Sequence, residues 1–121
     1  MVGLSLRGPT NIAGYQMDFA GGVDQTYALA LMNFAPDKDK FTWHVSGPTS
    51  DSGAIVFDPL SQRAVFNASF PLAVNVKPGA YEFTLRVDAT ETSGLDTSET
   101  LSTSIETSVN VDVLKNPKLQ P

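Results

Sequence analysis

The fold is decided by a stretch of strict alternation that follows Pro78-Gly79 and reads Tyr81-Glu82-Phe83-Thr84-Leu85-Arg86-Val87-Asp88-Ala89. Apolar residues occupy every odd position, and polar or charged residues occupy every even one. Because successive side chains of a β-strand point to opposite faces of a sheet, this pattern predicts a strand with one buried and one solvated face. Antiparallel sheets allow a solvated face, whereas parallel sheets are covered on both sides and carry continuous apolar runs.

Three other segments repeat this alternation, namely residues 41–46, 63–70 and 105–113. Shorter or less regular strands are predicted at Val2–Leu6, Tyr15–Phe19, Thr26–Asn33 and Ala54–Asp58, the last as an edge strand. Pairs of turn-forming residues separate these segments, and no window has sustained helical periodicity. Seven or eight short strands with regular turns predict an all-β sandwich or barrel.

The chain has 121 residues, which is the size of one domain. We predict a single β-sandwich domain over residues 1–114 and a flexible tail over 115–121, where Pro117 and Pro121 occur and periodicity ends. The net charge of −5 leaves no basic patch to neutralise phosphates, so we expect neither nucleic acid nor a membrane as partner. The first residues lack the basic region and the apolar core of a secretory signal, which leaves the compartment open.

The turn and strand quoted above resemble the penultimate strand of immunoglobulin-like domains, in which a small turn residue leads into Tyr-x-Cys. Tyr81 matches the tyrosine, and Phe83 stands where the cysteine would be. Trp43 resembles the core tryptophan of the third strand, and Leu31 takes the place of the first cysteine. The likeness covers about Thr26–Val113 and is closest to cysteine-free modules such as fibronectin type III, cadherin-like and PKD-like domains. It implies an antiparallel immunoglobulin-like β-sandwich with these four residues as its core signature.

The opening of the chain is similar to that of small immunoglobulin-like modules in tailed-phage baseplate and virion proteins. The likeness rests on Tyr15–Phe19, a glycine-bearing turn and the apolar segment Thr26–Leu31. Gly47-Pro48 and the turn Pro78-Gly79-Ala80-Tyr81 lie at compatible places. This resemblance implies a place in a phage particle.

The sequence contains few of the side chains and motifs that catalysis requires. Its one histidine, His44, falls on the polar phase of its strand, which predicts a surface side chain. No Gly-x-Ser-x-Gly motif supplies a nucleophilic serine, and the lack of cysteine removes thiolate nucleophiles and thiolate zinc sites. We therefore predict no enzyme activity, no catalytic residues, no cofactor and no resident metal.

Calcium is the one ion that the sequence leaves open. Asp37, Asp39 and the segment Asp51–Asp58 place carboxylates on predicted loops. An EF-hand loop needs several oxygen ligands at alternate positions and a terminal glutamate, and Lys38 adds positive charge to the first candidate. The simpler interpretation of both loops, and the one that we prefer, is an ordinary solvated turn.

Residues 90–104 differ in composition from the rest of the chain because serine and threonine dominate them. We predict a long exposed hairpin connection, with an extension of the flanking strands as a protruding ribbon as the alternative. The candidate contact residues within it are Thr90, Glu91, Leu95, Asp96, Glu99 and Leu101. Phe34 and Phe57 lie outside the predicted buried faces, and together with Tyr15 they are the aromatic candidates for exposure.

These observations predict a non-enzymatic structural or interaction module that contacts a protein partner, as a homo-oligomer or within a larger assembly. The main hypothesis is an accessory component of a phage virion, such as a capsid decoration, tail or baseplate protein. The alternative is an extracellular immunoglobulin-like module of a bacterial surface adhesin or carbohydrate-active enzyme. The chain would accordingly be found in a virion or at a cell surface.

Overall fold

A computed structural model describes residues 3–32, 39–56, 63–92 and 100–117 of the chain. One short helix, α1 (Gln16–Phe19), follows the second strand. The eight strands in these residues are β1 (Gly3–Arg7), β2 (Asn11–Tyr15), β3 (Val23–Met32), β4 (Asp39–Ser46), β5 (Asp51–Ile55), β6 (Arg63–Phe70), β7 (Gly79–Thr92) and β8 (Thr100–Leu114).

The strands form two sheets that share one core. The smaller sheet has the antiparallel order β1-β3-β6, and the larger sheet has the order β2-β8-β7-β4-β5 and is curled like half of a barrel. Phe70 of β6 and Phe83 of β7 meet edge to face across the gap between the sheets, with their ring centroids 5.3 Å apart. The all-β prediction is therefore confirmed, in an arrangement compatible with a β-sandwich.

The prediction of purely antiparallel sheets is wrong for one pair, because β2 runs parallel to β8. The cause lies in how the chain changes sheets. After β1 it passes through Gly8-Pro9 and continues in the same direction at the edge of the larger sheet, where β8 is its neighbour. Gly8 is required at this crossing, since a Cβ there would collide with the ring of Tyr27.

The strand predicted at Tyr15–Phe19 is also wrong, because Tyr15 ends β2 and the next four residues form α1. The carboxylate of Asp18 accepts a hydrogen bond from the Tyr15 amide at 3.2 Å, and the Phe19 carbonyl accepts one from the Gly22 amide at 2.9 Å. Such local side-chain bonds compete with strand pairing. Phe19 is buried, so the apolar period of two at these positions belongs to a helical turn.

Most predicted core residues lie in the interior. Trp43, Phe83 and Leu85 belong to the buried core, and Trp43 is 7% exposed. Tyr81 is partly buried and packs against this core. Leu31 lies in β3 opposite Leu4 in the register, and its side chain is outside the described part of the structure.

The segment 90–104 contributes to both flanking strands as far as the structure describes it. The pairing of β7 with β8 continues to Glu91–Leu101 and Thr92–Thr100, so the alternative of extended strands holds for residues 90–92 and 100–104. Residues 93–99, which include Leu95, Asp96 and Glu99, lie outside the described residues. The predicted edge strand at Ala54–Asp58 is β5, which begins three residues earlier, at Asp51, and is described to Ile55.

Candidate interaction surfaces

One end of the molecule is assembled from α1, the segment 71–78 and the loop between β4 and β5. The Thr49 hydroxyl donates to the Pro71 carbonyl at 2.5 Å, and the Gly21 amide donates to the Ala73 carbonyl at 3.3 Å. The Gln16 side chain donates to the Val76 carbonyl at 2.9 Å, which attaches α1 to the same segment. These bonds fix several loops against one another and give this end a defined shape.

Four large apolar side chains are exposed at this end, one of them Val74 in the segment 71–78. We call the other three, Tyr15, Met17 and Leu114, the Tyr15 patch. Tyr15 is 42% exposed and Leu114 is 48% exposed, and the two are direct partners in the β2–β8 register. Met17 is bound through its amide to the Asn116 side chain at 2.8 Å, just beyond the end of β8. Neighbouring exposed apolar residues on a rigid surface are typical of contact sites.

A shallow apolar cleft of about 340 Å³ lies at the same end. Pro48, Leu72, Val76 and Tyr81 contribute to its wall. The Tyr81 hydroxyl donates to the Lys77 carbonyl at 2.6 Å, which closes the Pro78-Gly79 turn over this wall. The phenol is thereby held by the backbone four residues upstream.

The outer face of the larger sheet carries a small charged network. His44 of β4 and Arg86 of β7 are register partners, and both contact Asp88. The His44 Nε2 atom lies 3.1 Å from one Asp88 oxygen, and the Arg86 Nε atom lies 3.0 Å from the other. Thr42 reaches the same His44 nitrogen at 3.1 Å. Because these side chains are roughly one-third to one-half exposed, the pairs contribute little to stability, and their main effect is to order this polar face.

Tyr27 is the described group whose ionisation is most clearly perturbed. It is 1% exposed, its ring stacks on Phe66 at 5.9 Å, and its hydroxyl donates to the Pro9 carbonyl at 2.7 Å. Burial raises the pKa of Tyr27 to about 12. The buried Tyr27 hydroxyl therefore holds the backbone at the Gly8-Pro9 crossing, and it is not exposed at the surface.

The predicted site residues fall into three groups. Tyr15 is exposed, and Thr90 lies partly buried in β7. Glu91 and Leu101 are partners in the β7–β8 register, and their side chains are outside the described part. The remaining candidates lie outside the described residues altogether, namely Phe34, Phe57, Leu95, Asp96 and Glu99.

Two features escaped the sequence reasoning. The contact of Asp88 with His44 depends on the register between β4 and β7, and the sequence carries no signal for that register. Leu114 lies on the solvated phase of β8, and its apolar character at a polar position was a readable signal of an exposed patch.

Within the described residues there is no group of three or more histidine, cysteine or acidic side chains that could hold a metal ion. No helix in that part of the chain is long and apolar enough to cross a membrane. No known protein family matches the chain, and no curated protein matches it either.

Proposed function

We propose that the protein is a non-catalytic structural and interaction module built on an immunoglobulin-like β-sandwich. The strand order supports this fold. β1 lies at the edge of the smaller sheet and β2 at the edge of the larger sheet, in which β8, β7, β4 and β5 follow β2 in that order. Trp43 lies in the core on β4, next to the strand that begins with the Tyr81 turn. The bond from the Tyr81 hydroxyl to the Lys77 carbonyl has the form of the tyrosine corner of such domains.

The Tyr15 patch is the observation that carries the interaction role. Tyr15 and Leu114 present apolar surface side by side, on strands that the sheet holds in place. Burying such side chains is favourable at about 25 cal/mol for each Å² removed from water. A partner that covers the patch would gain this energy without reordering the scaffold.

The setting that we propose is an accessory position in a phage virion, such as a capsid decoration, tail or baseplate component. The support is the resemblance of the Gly47-Pro48 loop and the Pro78–Tyr81 turn to those of small virion modules. The opening hairpin adds nothing to this support, because residues 16–19 form α1 instead of a strand.

A module of a bacterial adhesin or carbohydrate-active enzyme is the second candidate, and one observation favours it. β1 begins beside Met32, at the end of the sandwich opposite to that at which β8 finishes. A chain that enters the sandwich at one end and leaves it at the other is suited to domains that are joined head to tail.

Site-specific photo-cross-linking tests the proposal. A benzoylphenylalanine replaces Tyr15 in the native host, and a matched variant carries the same group at Val65, which is 70% exposed on the smaller sheet. Adducts are identified by mass spectrometry after irradiation. We expect one discrete protein adduct from position 15 and none of that mass from position 65.

The identity of the adduct separates the two settings. A capsid, tail or baseplate protein supports the virion role, and a neighbouring domain or a surface protein supports the second candidate. The same adducts from both positions, or none from position 15, would contradict a contact function for the Tyr15 patch.

A further inference from the structure

Within the described residues, one side of β8 has no paired strand over most of its length. β7 pairs with β8 from Thr100 to Val113, whereas β2 pairs with the other side only from Asn110 onward. In the part of the chain that the structure describes, no strand pairs with that other side between Thr100 and Val109. This leaves an edge of ten residues, which we call the β8 edge.

The hydrogen-bonding groups on this edge can be assigned from the β2 contact. The Asn110 amide donates to the Thr10 carbonyl at 2.8 Å, on the side away from β7. Because backbone groups alternate in direction along a strand, the amides and carbonyls of Ser108, Glu106 and Ser104 point to that same side. The odd residues turn theirs toward β7.

The β8 edge lacks the features by which proteins protect open edges, which are proline, lysine and inward-pointing charge. Residues 100–109 contain one charged residue, Glu106, and are otherwise serine, threonine, leucine, isoleucine and valine. On the opposite flank β5 lies against β6, and on this flank β1 lies beside β8 without pairing with it in the described residues. The β8 edge is therefore a long unpaired edge of high β-propensity.

The sequence of the edge is nearly symmetric about Ile105. It reads Leu101-Ser102-Thr103-Ser104-Ile105-Glu106-Thr107-Ser108-Val109, so that each residue before the centre has a counterpart of similar character after it. Thr103 mirrors Thr107, and Ser102 mirrors Ser108. The one unlike pair sets Ser104 against Glu106.

We propose that the β8 edge binds the β8 edge of a second copy of this chain, antiparallel and about a twofold axis through Ile105. A twofold axis brings the same surface of each copy into contact. A strand that pairs with its own copy must therefore have a similar sequence in both directions. In this register four residue pairs exchange both of their backbone bonds, which gives about eight inter-strand hydrogen bonds. Two five-stranded sheets become one continuous sheet of ten strands.

Side-chain pairing selects this register over its neighbours. Ile105 faces Ile105 of the second copy in a pair without backbone bonds, in which side chains approach closely. Ile105 is partly buried against the core, so this contact extends the core across the axis. A centre on Glu106 would set two carboxylates opposite each other, which is destabilising. A centre on Ser104 would set Thr107 against Leu101, so that like side chains would no longer face each other.

The inference rests on the proposed function only in that both require protein contact. Ile105 and Leu114 are nine residues apart on β8, which is roughly 30 Å along a strand. The Tyr15 cross-link and the β8 pairing can therefore fail independently.

A cysteine scan tests the pairing, since the chain has no cysteine of its own. Single cysteines are introduced at each position from Thr103 to Thr107 and, as a matched control, at Val65. Each variant is equilibrated in a glutathione buffer, and the disulfide-linked dimer is quantified. A directly opposed pair without backbone bonds has a Cα separation of about 4.5 Å, within the range that a disulfide spans. We expect the largest fraction of disulfide-linked dimer for Ile105→Cys and a smaller fraction at the positions on either side.

Charge variants test the Ser104–Glu106 contact, which occurs twice in the dimer. Sedimentation equilibrium of the unmodified chain should show a monomer–dimer equilibrium. Ser104→Lys should tighten the dimer about fivefold and Ser104→Glu should weaken it about fivefold, because each change acts at two sites. Ser108→Glu is the control, since its partner is the uncharged Ser102. Thermal unfolding of every variant shows whether the fold is retained.

A chain that stays monomeric at all concentrations overturns the proposal, and so does cross-linking at Ile105 no greater than at Val65. If the edge instead accepts a strand of a different protein, the isolated chain is monomeric and Ile105→Cys stays reduced. A dimer whose affinity is the same for Ser104→Lys and Ser104→Glu also contradicts it.

Discussion

Tyr27→Phe removes one hydroxyl from the core and leaves the aromatic ring in place. The ring keeps its packing against Phe66 and the close fit with Gly8, so the change isolates the bond from the hydroxyl to the Pro9 carbonyl. That carbonyl loses its partner in a partly buried place. We expect a loss of about 1–2 kcal/mol in the free energy of unfolding at neutral pH.

The same substitution changes how stability depends on pH. The pKa of Tyr27 is about 12 in the folded chain, against 10 for an ordinary tyrosine. Between these values the unfolded chain releases the phenol proton and the folded chain keeps it, so stability falls as pH rises. This contribution is fully present below pH 10 and should decrease by about 1 kcal/mol between pH 10 and pH 11. Tyr27→Phe abolishes it.

Urea unfolding measures both effects, because Trp43 is the only tryptophan and is buried in the core. Its fluorescence reports unfolding of the wild type and of both tyrosine variants. Tyr81→Phe is the matched control, since it removes a hydroxyl bond to the Lys77 carbonyl at the surface and leaves Tyr27 intact. We expect this control to lose about 0.5–1 kcal/mol and to keep the alkaline decrease of the wild type.

Two results would refute this reasoning. One is a Tyr27→Phe variant as stable as the wild type at neutral pH, which would mean that the hydroxyl is not holding the crossing. The other is an identical decrease in stability above pH 10 in both proteins, which would mean that burial does not protect the phenol proton.

The remaining predictions concern the core and the β7–β8 connection. Trp43→Ala should cost about 3–5 kcal/mol, measured by circular dichroism during urea unfolding, because it leaves a large cavity between the sheets. Gly53→Ala should cost about 1–3 kcal/mol in the same assay, since its Cβ would lie 2.6 Å from the Trp43 ring nitrogen; Ala54→Gly in the same strand is the control. Replacing residues 93–99 by Asn-Gly should preserve the fold and raise stability by about 1 kcal/mol, because Thr92 and Thr100 already pair and fewer residues then connect them. Partner binding or assembly that survives this replacement would show that residues 93–99 are only a spacer.

The sequence predicts those strands whose pattern is local. β4, β6, β7 and β8 alternate because each has one face on the core, and this period can be read without knowing any neighbour. α1 could not be read in this way. Tyr15 at the end of β2 and Met17 and Phe19 of α1 alternate like a strand. Only the bonds of Asp18 and Gly22 close the helical turn.

Pairing partners are harder to predict than strands, because they depend on residues far apart in the chain. Nothing near Asn11 indicates that β2 lies beside Asn110 and runs parallel to it. The same limit applies to the candidate surfaces. Tyr15 could be named as a candidate from the sequence, but its place beside Leu114 comes from the β2–β8 register.

The crossing at Gly8-Pro9 connects the core to the open edge. β2 cannot begin earlier than the end of this crossing, because the chain must first leave the smaller sheet and pass over the Tyr27 ring. It reaches β8 only at Asn110, whose amide binds the Thr10 carbonyl at the last residue of the crossing. A longer β2 would cover Ser108 and Glu106 but would pull the backbone away from the Tyr27 hydroxyl. The bond from the Tyr27 hydroxyl to the Pro9 carbonyl thus also limits how much of β8 is covered by β2.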